Sequence, residues 1–181
     1  MTGFAAFLRA VNLGGGTILP MEKLRQALTD LGFGSPETIL QSGNVVFPHD
    51  PDHLAPLEGQ IERLLDREFG LSTDVFVRTG EEWRDLVHGN PFSAAARDDP
   101  SHLTALILKS TPSASAWAEL LRGIQGRERV RAGGRHGYVV YPDGIGRSRL
   151  TLDRIERFLQ TRGTLRNWNT VLRVDSRLAA L

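Results

Sequence analysis

The sequence predicts an α+β fold of two ferredoxin-like halves, each an antiparallel sheet with helices packed on one face. Short apolar runs alternate with stretches in which apolar residues recur every three or four positions, and this indicates alternating strands and helices. The first half reads strand, helix, two strands, helix, strand, which is the order of the split βαβ plan. The second half repeats strand, helix, two strands and helix.

The first half opens with a strand that leads into a helix. The apolar run from Phe4 to Leu8 is typical of a central strand buried on both faces. Pro20 suits the first position of a helix, and Gly32 suits its C-terminal cap. Between them, apolar residues share one face of the predicted helix: Met21, Leu24, Leu28 and Leu31.

Two short strands, a second helix and a closing strand follow. Extended runs are expected around 38–41 and 45–48, joined by a turn or bulge at Ser42-Gly43-Asn44. The second helix opens at Asp50-Pro51-Asp52. Its apolar residues mark a buried face: Leu54, Leu57, Ile61, Leu64 and Leu65. Asp74–Arg78 is predicted to be the fourth strand of this half.

The second half begins with a helix start and then a strand. Thr79 and Glu82 have the spacing of a capping box, which marks a short helix. Asn90–Asp99 reads as a loop, Leu103–Leu108 as a strand, and a hairpin is expected around Gly133-Gly134.

The end of the chain is predicted to be helical. Thr151 and Asn167 suit the N-caps of the last two helices. Three helical faces in this half are marked by apolar residues: Trp117, Leu120, Leu121 and Ile124; Leu152, Ile155 and Leu159; Trp168, Val171 and Leu172. The predicted domains are residues 1–79 and 80–181. No long linker separates them.

Several ordered motifs carry a resemblance to a known family. They are Arg9–Gly15, Pro20-Met21 with Leu24-Arg25, Leu31–Phe33, Gln41–Phe47, Asn90–Phe92, Ser148–Thr151 and Arg166–Val171. Together they span nearly the whole chain, and in them the sequence resembles the family catalogued as domain of unknown function 1697. Ala10 and Arg149 depart from the glycine and lysine frequent there. The resemblance implies paired ferredoxin-like units and no assigned reaction.

Composition excludes several classes of function. The chain has no cysteine, so disulfides, thiolate metal sites, iron–sulfur clusters and cysteine nucleophiles are excluded. The net charge of +1 provides no global field toward nucleic acid or anionic lipid. No apolar run approaches the roughly 20 residues that span a bilayer, and no signal peptide is evident. We therefore expect a soluble, cytoplasmic protein.

The sequence predicts neither a metal nor a cofactor. Prolines surround His49 and His53, and no zinc signature is present. The glycine turn at 12–17 matches neither a nucleotide-binding loop nor a dinucleotide fingerprint. A serine nucleophile elbow is also missing. Without an identifiable general base, no reaction is assigned, and whether the protein is an enzyme stays open.

Two polar stretches of the first half are candidate ligand sites. In the turn after the first strand, Arg9, Asn12, Gly14 and Gly15 suit an anion cradle near a helix start. The alternative is a tight structural turn. Gln41, Ser42 and Asn44 form the second stretch, and its alternative is a bulge whose side chains satisfy stray backbone groups.

Two basic helix starts of the second half complete the candidate set. Arg147, Ser148 and Arg149 precede one helix, and Arg166 and Asn169 flank the start of the next. Guanidinium forks and hydroxyls at a helix N-terminus suit phosphate or carboxylate. The alternative is simple N-capping with solvated arginines.

The leading hypothesis is that these residues recognise a small anionic ligand, for example one that carries phosphate. Arginines would supply charge and bidentate hydrogen bonds, and amides and hydroxyls would set the orientation of the ligand. One alternative is an RNA-binding module that uses a sheet face. The other is a protein-interaction scaffold in which the motifs are only caps and turns. The oligomeric state is not predicted.

Overall fold

The computed structural model describes residues 2–12, 18–50 and 56–181. These residues form two four-stranded antiparallel sheets with accompanying helices, so the predicted α+β class is confirmed. The chain divides into two compact units, Met1–Asp85 with Arg173–Leu181 and Leu86–Leu172. Compactness does not test independent folding, so the predicted domains remain a prediction. Among the described helices, none has the length and apolar character needed to cross a membrane.

The first unit holds a sheet with the strand order β2-β3-β1-β4. Its elements are β1 Thr2–Leu8, α1 Met21–Asp30, β2 Glu37–Ile39, β3 Asn44–His49, α2 Leu57–Phe69, β4 Val75–Thr79 and the first part of α3 Gly80–His88. β1 is central because both of its neighbours, β3 and β4, pair with it in antiparallel register.

One face of this sheet packs against α1 and α2. Phe4, Ala6 and Leu8 of β1 point into this core. The helices contribute the apolar residues predicted from their spacing: Leu24, Leu28, Leu57, Ile61, Leu64 and Leu65. Gly32 ends α1 with φ of 91°, so its predicted capping role is confirmed.

Helical residues also lie on the opposite face, which corrects the expectation of helices on one face only. Ala5 and Phe7 of β1 are fully buried on this second face, and the Trp83 ring of α3 stacks on Phe7 at 4.6 Å. At the edge of the face, a methyl group at Gly3 would lie 3.4 Å from Leu178 near the end of the chain. A strand that is apolar on both sides requires cover on both sides.

The second unit holds a sheet with the strand order β6-β7-β5-β8. Its elements are α4 Ser93–Asp98, β5 Leu103–Leu108, α5 Ala114–Arg122, β6 Arg129–Ala132, β7 His136–Val140, α6 Leu152–Leu159, β8 Gly163–Asn167 and the first part of α7 Trp168–Leu178. A single 3-10 turn covers Ile145–Arg147. The core between the sheet, α5 and α6 contains Trp117 and Tyr141.

Two elements of this unit were missed from the sequence. β8 pairs with β5, although the sequence around Arg166 predicted only a basic helix start. Its short, polar pattern of Gly-Thr-Leu-Arg-Asn has too few apolar residues to reveal a strand. The predicted loop at 90–99 contains α4.

The predicted helix caps are present. Thr79 and Glu82 form a reciprocal capping box, with distances of 3.1 Å from Glu82 N to Thr79 Oγ1 and 2.8 Å from Thr79 N to Glu82 Oε2. Thr151 accepts from the Arg154 amide at the start of α6. Asn167 accepts from the Asn169 amide at the start of α7.

Candidate functional site

In the first unit, the predicted polar residues gather at one end of the sheet. This is where β1 ends and where β3 and β4 begin, since Phe7 lies opposite Asn44 and Leu8 opposite Val75. The Asn12 amide nitrogen donates to the Gln41 carbonyl at 2.8 Å. The register therefore brings the turn after β1 against the turn before β3.

Asn12 uses both hydrogens of its amide to hold backbone. Besides Gln41, its Nδ2 donates to the Leu19 carbonyl at 3.3 Å, and its Oδ1 accepts from the Leu19 amide at 2.7 Å. The side chain thus joins the end of the turn after β1 to the residue two before α1 and to the turn before β3. Residues 13–17, which include Gly14 and Gly15, lie outside the described part of the chain.

Asn44 is fully buried and fixes the neighbouring turn. Its Nδ2 donates to the Ile39 carbonyl and to the Ser42 hydroxyl, both at 2.9 Å. Gly43 adopts φ of 73°, and a methyl group there would lie 2.4 Å from Val11 Cγ2. The turn therefore depends on glycine for both its conformation and its packing.

Arg9 is held through its backbone. Its amide donates to the Asp74 carbonyl at 3.0 Å, and its carbonyl accepts from the Thr73 hydroxyl at 2.6 Å. Its side chain is partly exposed, and Gln41 and Ser42 are exposed. At this end of the sheet, the described amide groups are committed mainly to turns.

In the second unit, Ser148 and Arg166 also serve local structure. The Ser148 hydroxyl donates to Glu128 and accepts from the Leu150 amide. Arg166 is buried, and its Nη1 donates to the Thr164 hydroxyl and the Leu165 carbonyl. Burial lowers the pKa of Arg166 to about 10, so the guanidinium still carries its charge at neutral pH.

Three arginines lie on α6 or just before it. Arg149 is exposed and borders a narrow void together with Arg154. Arg154 also lines a shallow depression of about 340 Å³ with Arg157 and Phe158. We name Arg149, Arg154, Arg157 and Phe158 the arginine face. Within the described part of the chain, its three arginines form no ion pair.

The arginine face is built on the end of α5. The Arg154 Nη2 donates to the Gly123 carbonyl at 2.9 Å, and its guanidinium lies 5.9 Å from the Phe158 ring centroid. Phe158 in turn covers Gly123, where a methyl group would lie 2.4 Å from the ring. The sequence analysis did not include Arg154 and Arg157 among the candidate residues. Their i, i+3 spacing, which places both on one helix face before Phe158, could have indicated them.

A second feature missed from the sequence is an aspartate–histidine pair before β5. His102 Nδ1 lies 2.5 Å from Asp99 Oδ2, and the other Asp99 oxygen accepts from the Ser101 hydroxyl at 2.8 Å. The Ser101 and His102 hydrogen bonds lower the pKa of the Asp99 carboxyl. The signal in the sequence was aspartate three residues before histidine across Pro100.

Asn167 anchors the start of α7 next to this pair, since its Nδ2 donates to the Ser101 carbonyl at 2.9 Å. Asn169, two residues further on, is exposed. Among the described residues, no group of three or more histidine or acidic side chains is arranged to hold a metal ion.

Comparison with solved structures finds a similar fold in the conserved bacterial protein SP0830 from Streptococcus pneumoniae. The TM-score is 0.77 at 20% sequence identity, and the match covers 98% of each chain. A comparison with curated proteins finds no match. A family model described as "Protein of unknown function (DUF1697)" matches residues 1–138, and the chain therefore belongs to this family.

Proposed function

We propose that the protein binds a small anionic ligand, bearing phosphate or carboxylate groups, at the arginine face. The observation that carries the proposal is the grouping of three guanidinium groups, from Arg149, Arg154 and Arg157, around adjoining hollows without an acidic partner among the described residues. Cations placed side by side repel one another, and an anion between them would relieve that repulsion.

The geometry suits a multiply charged ligand. Arg154 is held in place by the Gly123 carbonyl and the Phe158 ring, so one guanidinium is ordered before binding. Arg157 lies one turn further along α6 on the same helix face. Planar guanidinium forks bind carboxylate and phosphate oxygens in pairs, and a prearranged fork loses less entropy on binding.

The remaining predicted ligand residues stay a prediction. The residues that remain predicted to bind an anion are Arg9, Gly14, Gly15, Gln41, Ser42, Arg147, Ser148, Arg166 and Asn169. Asn12 and Asn44 have both amide hydrogens engaged by the protein, and this supports the alternative, structural interpretation for them.

The ferredoxin-like plan of each half is likewise our proposal. The strand orders β2-β3-β1-β4 and β6-β7-β5-β8 support it, because each places the first strand of a half between the third and the fourth.

Neither alternative function has a specific observation in its favour. An RNA-binding sheet needs an open face, whereas Ala5, Phe7 and Ala105 on the second faces of the sheets are fully buried. A scaffold would be favoured by an apolar patch on a sheet. The large exposed apolar side chains of the described residues lie outside the strands: Ile18, Leu31, Leu40, Leu121, Ile145, Leu172 and Leu181.

A thermal-shift screen with pyrophosphate, adenosine monophosphate and citrate tests the proposal. A ligand at 100 times its dissociation constant stabilises the folded state by about 2.7 kcal/mol. We expect at least one anion to raise Tm, and Arg157→Gln to abolish most of the shift, because it removes one guanidinium without touching the core. Arg157 is exposed, so the variant should fold.

Arg173→Gln is the matched control. Arg173 is also an exposed helical arginine, but it lies outside the arginine face, so its variant should keep the full shift. Equal loss of the shift in both variants would indicate nonspecific charge effects. Unchanged Tm with all three anions would refute the proposal.

A further inference from the structure

The Asp99–His102 pair is oriented in a way that local capping does not require. Asp99 already accepts from the Ser101 hydroxyl, and its backbone carbonyl accepts from the His102 amide at 3.2 Å. The additional contact from Asp99 Oδ2 to His102 Nδ1 fixes the plane of the imidazole ring. When a carboxylate holds the proton on Nδ1, the lone pair of a neutral imidazole lies on Nε2.

The Nε2 side of His102 faces the turn that follows β7. A methyl group at Gly144 would lie 3.8 Å from Nε2, so the glycine itself does not crowd this atom. The His102 side chain keeps 39% of its surface exposed. The imidazole ring is therefore oriented and partly open to a small reagent.

Charged side chains of both signs lie near His102. Asp99 contacts it directly, and the carboxyl of Asp143 is influenced by Arg127, Arg147 and His102, which lower its pKa. The Arg127 fork neutralises Asp143, donating from Nε and Nη2 to its two carboxylate oxygens. Arg147 is exposed and lies three residues after Gly144, whose carbonyl accepts from the Arg147 amide at 3.2 Å. Its guanidinium therefore belongs to the same turn that Nε2 faces and suits the oxygens of an incoming phosphoryl group.

We propose that His102 Nε2 is a phosphoryl-accepting nucleophile, oriented by Asp99 and assisted by Arg147, for small donors of the acyl phosphate or phosphoramidate class. Nε2 attacks phosphorus, the Nε2–P bond forms, and the bond from phosphorus to the leaving group breaks. The leaving carboxylate or ammonia takes that electron pair. The Nδ1 proton, already shared with Asp99, passes to solvent. This chemistry is independent of the arginine face.

The test uses the full-length protein and phosphoramidate as the donor. Phosphorus NMR identifies phosphohistidine, and peptide mass spectrometry gives the rate at each histidine. His88 is exposed at the end of α3 and is the internal control. We expect His102 to react at least tenfold faster than His88, at Nε2.

Two variants separate orientation from charge. Asp99→Asn should slow His102 by about tenfold while the His88 rate is unchanged, because the amide cannot hold Nδ1–H as strongly. Arg147→Gln should slow the reaction with phosphoramidate but leave diethyl pyrocarbonate, an uncharged reagent, at its original rate on His102. Both positions are exposed, and circular dichroism checks the fold.

Reaction of His102 no faster than His88 would overturn the proposal. So would an unchanged rate in Asp99→Asn, because the pair would then be only a turn contact. Phosphorylation at Nδ1 instead of Nε2 would contradict the assigned orientation of the ring.

Discussion

At the carboxyl end of the first strand of each sheet, the two units share one backbone hydrogen-bond arrangement but carry different side chains. In the first unit, the Leu8 amide donates to the Gly43 carbonyl at 2.8 Å and the Arg9 amide to the Asp74 carbonyl at 3.0 Å. In the second unit, Leu108 and Lys109 repeat this arrangement with the Arg135 and Arg162 carbonyls, both at 3.0 Å. The backbone scheme is shared, but the side chains are not.

Gly43 and Arg135 therefore occupy matching positions. At Gly43, a methyl group would collide with Val11 Cγ2 at 2.4 Å and Leu8 Cβ at 2.8 Å, whereas the second unit accommodates an arginine. Gly43 is needed both for its positive φ of 73° and for the close approach of Val11, whereas Arg135 has no positive φ. The same backbone function does not itself demand glycine.

The largest expected effect that tests this comparison is at Gly43. Gly43→Ala should destabilise the protein by about 3 kcal/mol, because it combines a left-handed backbone with overpacking against Val11. Chemical denaturation monitored by tryptophan fluorescence measures the loss.

Gly134→Ala in the second unit is the matched control. Gly134 also has positive φ, of 77°, but has nothing within 4 Å of the added methyl group, so only the backbone cost of about 1 kcal/mol is expected. Equal losses in the two variants would show that packing of Val11 does not explain the glycine.

The next effect concerns the residues that face the first strand at this end. Asn44 lies opposite Phe7 in one sheet, and His136 lies opposite Ile107 in the other. Asn44→Ala should cost about 2 kcal/mol, because it leaves the buried Ile39 carbonyl without its donor. His136 is only partly buried, so His136→Ala should cost less. A larger loss in His136→Ala would reverse this assignment.

The smallest expected effect is a difference between the two units in how the free energy of unfolding depends on pH. Asn12 and Asn44 do not titrate, whereas Asp143 in the second unit is paired with Arg127, which lowers the pKa of its carboxyl. A lowered folded-state pKa gives stability that is present above the ordinary carboxyl pKa of about 3.9 and is lost as pH falls through the folded value.

Asp143→Asn should therefore lower the unfolding free energy slightly at pH 7, and the effect should shrink as the pH falls below the ordinary carboxyl pKa of about 3.9. Because this pair is fully exposed, high salt should also reduce the effect. Urea denaturation of both proteins across this pH range measures the difference. A difference that grows toward acid pH would contradict the assigned direction of the pKa.

Much of the fold followed from local pattern. Apolar spacing located α1 and α2, and cap chemistry located the starts of α3 and α6, because these signals lie within a few consecutive residues. β8 escaped because its strand character comes from pairing with β5 and not from its own sequence. The sequence did not predict that helices pack on both faces of the first sheet. The helical pattern around Trp83 would be the same whichever face α3 packed against.

The candidate site was less accessible from sequence. Asn12 and Gln41 are 29 residues apart, and their contact depends on register, which is set by the whole sheet. The arginine face also depends on tertiary structure, since Gly123 of the α5 C-cap positions Arg154. The local sequence pattern identifies residues that are able to bind anions. It does not show which of these side chains already form hydrogen bonds within the folded protein.

The first unit is assembled from two separated stretches of chain, Met1–Asp85 and Arg173–Leu181. During translation, the second stretch leaves the ribosome only after the whole of the second unit. Until then, the nascent first sheet lacks the residues near Gly3, including Leu178, and exposes apolar surface that attracts chaperones or other chains. Synthesis of the intervening residues therefore sets the earliest moment at which the first unit can be complete.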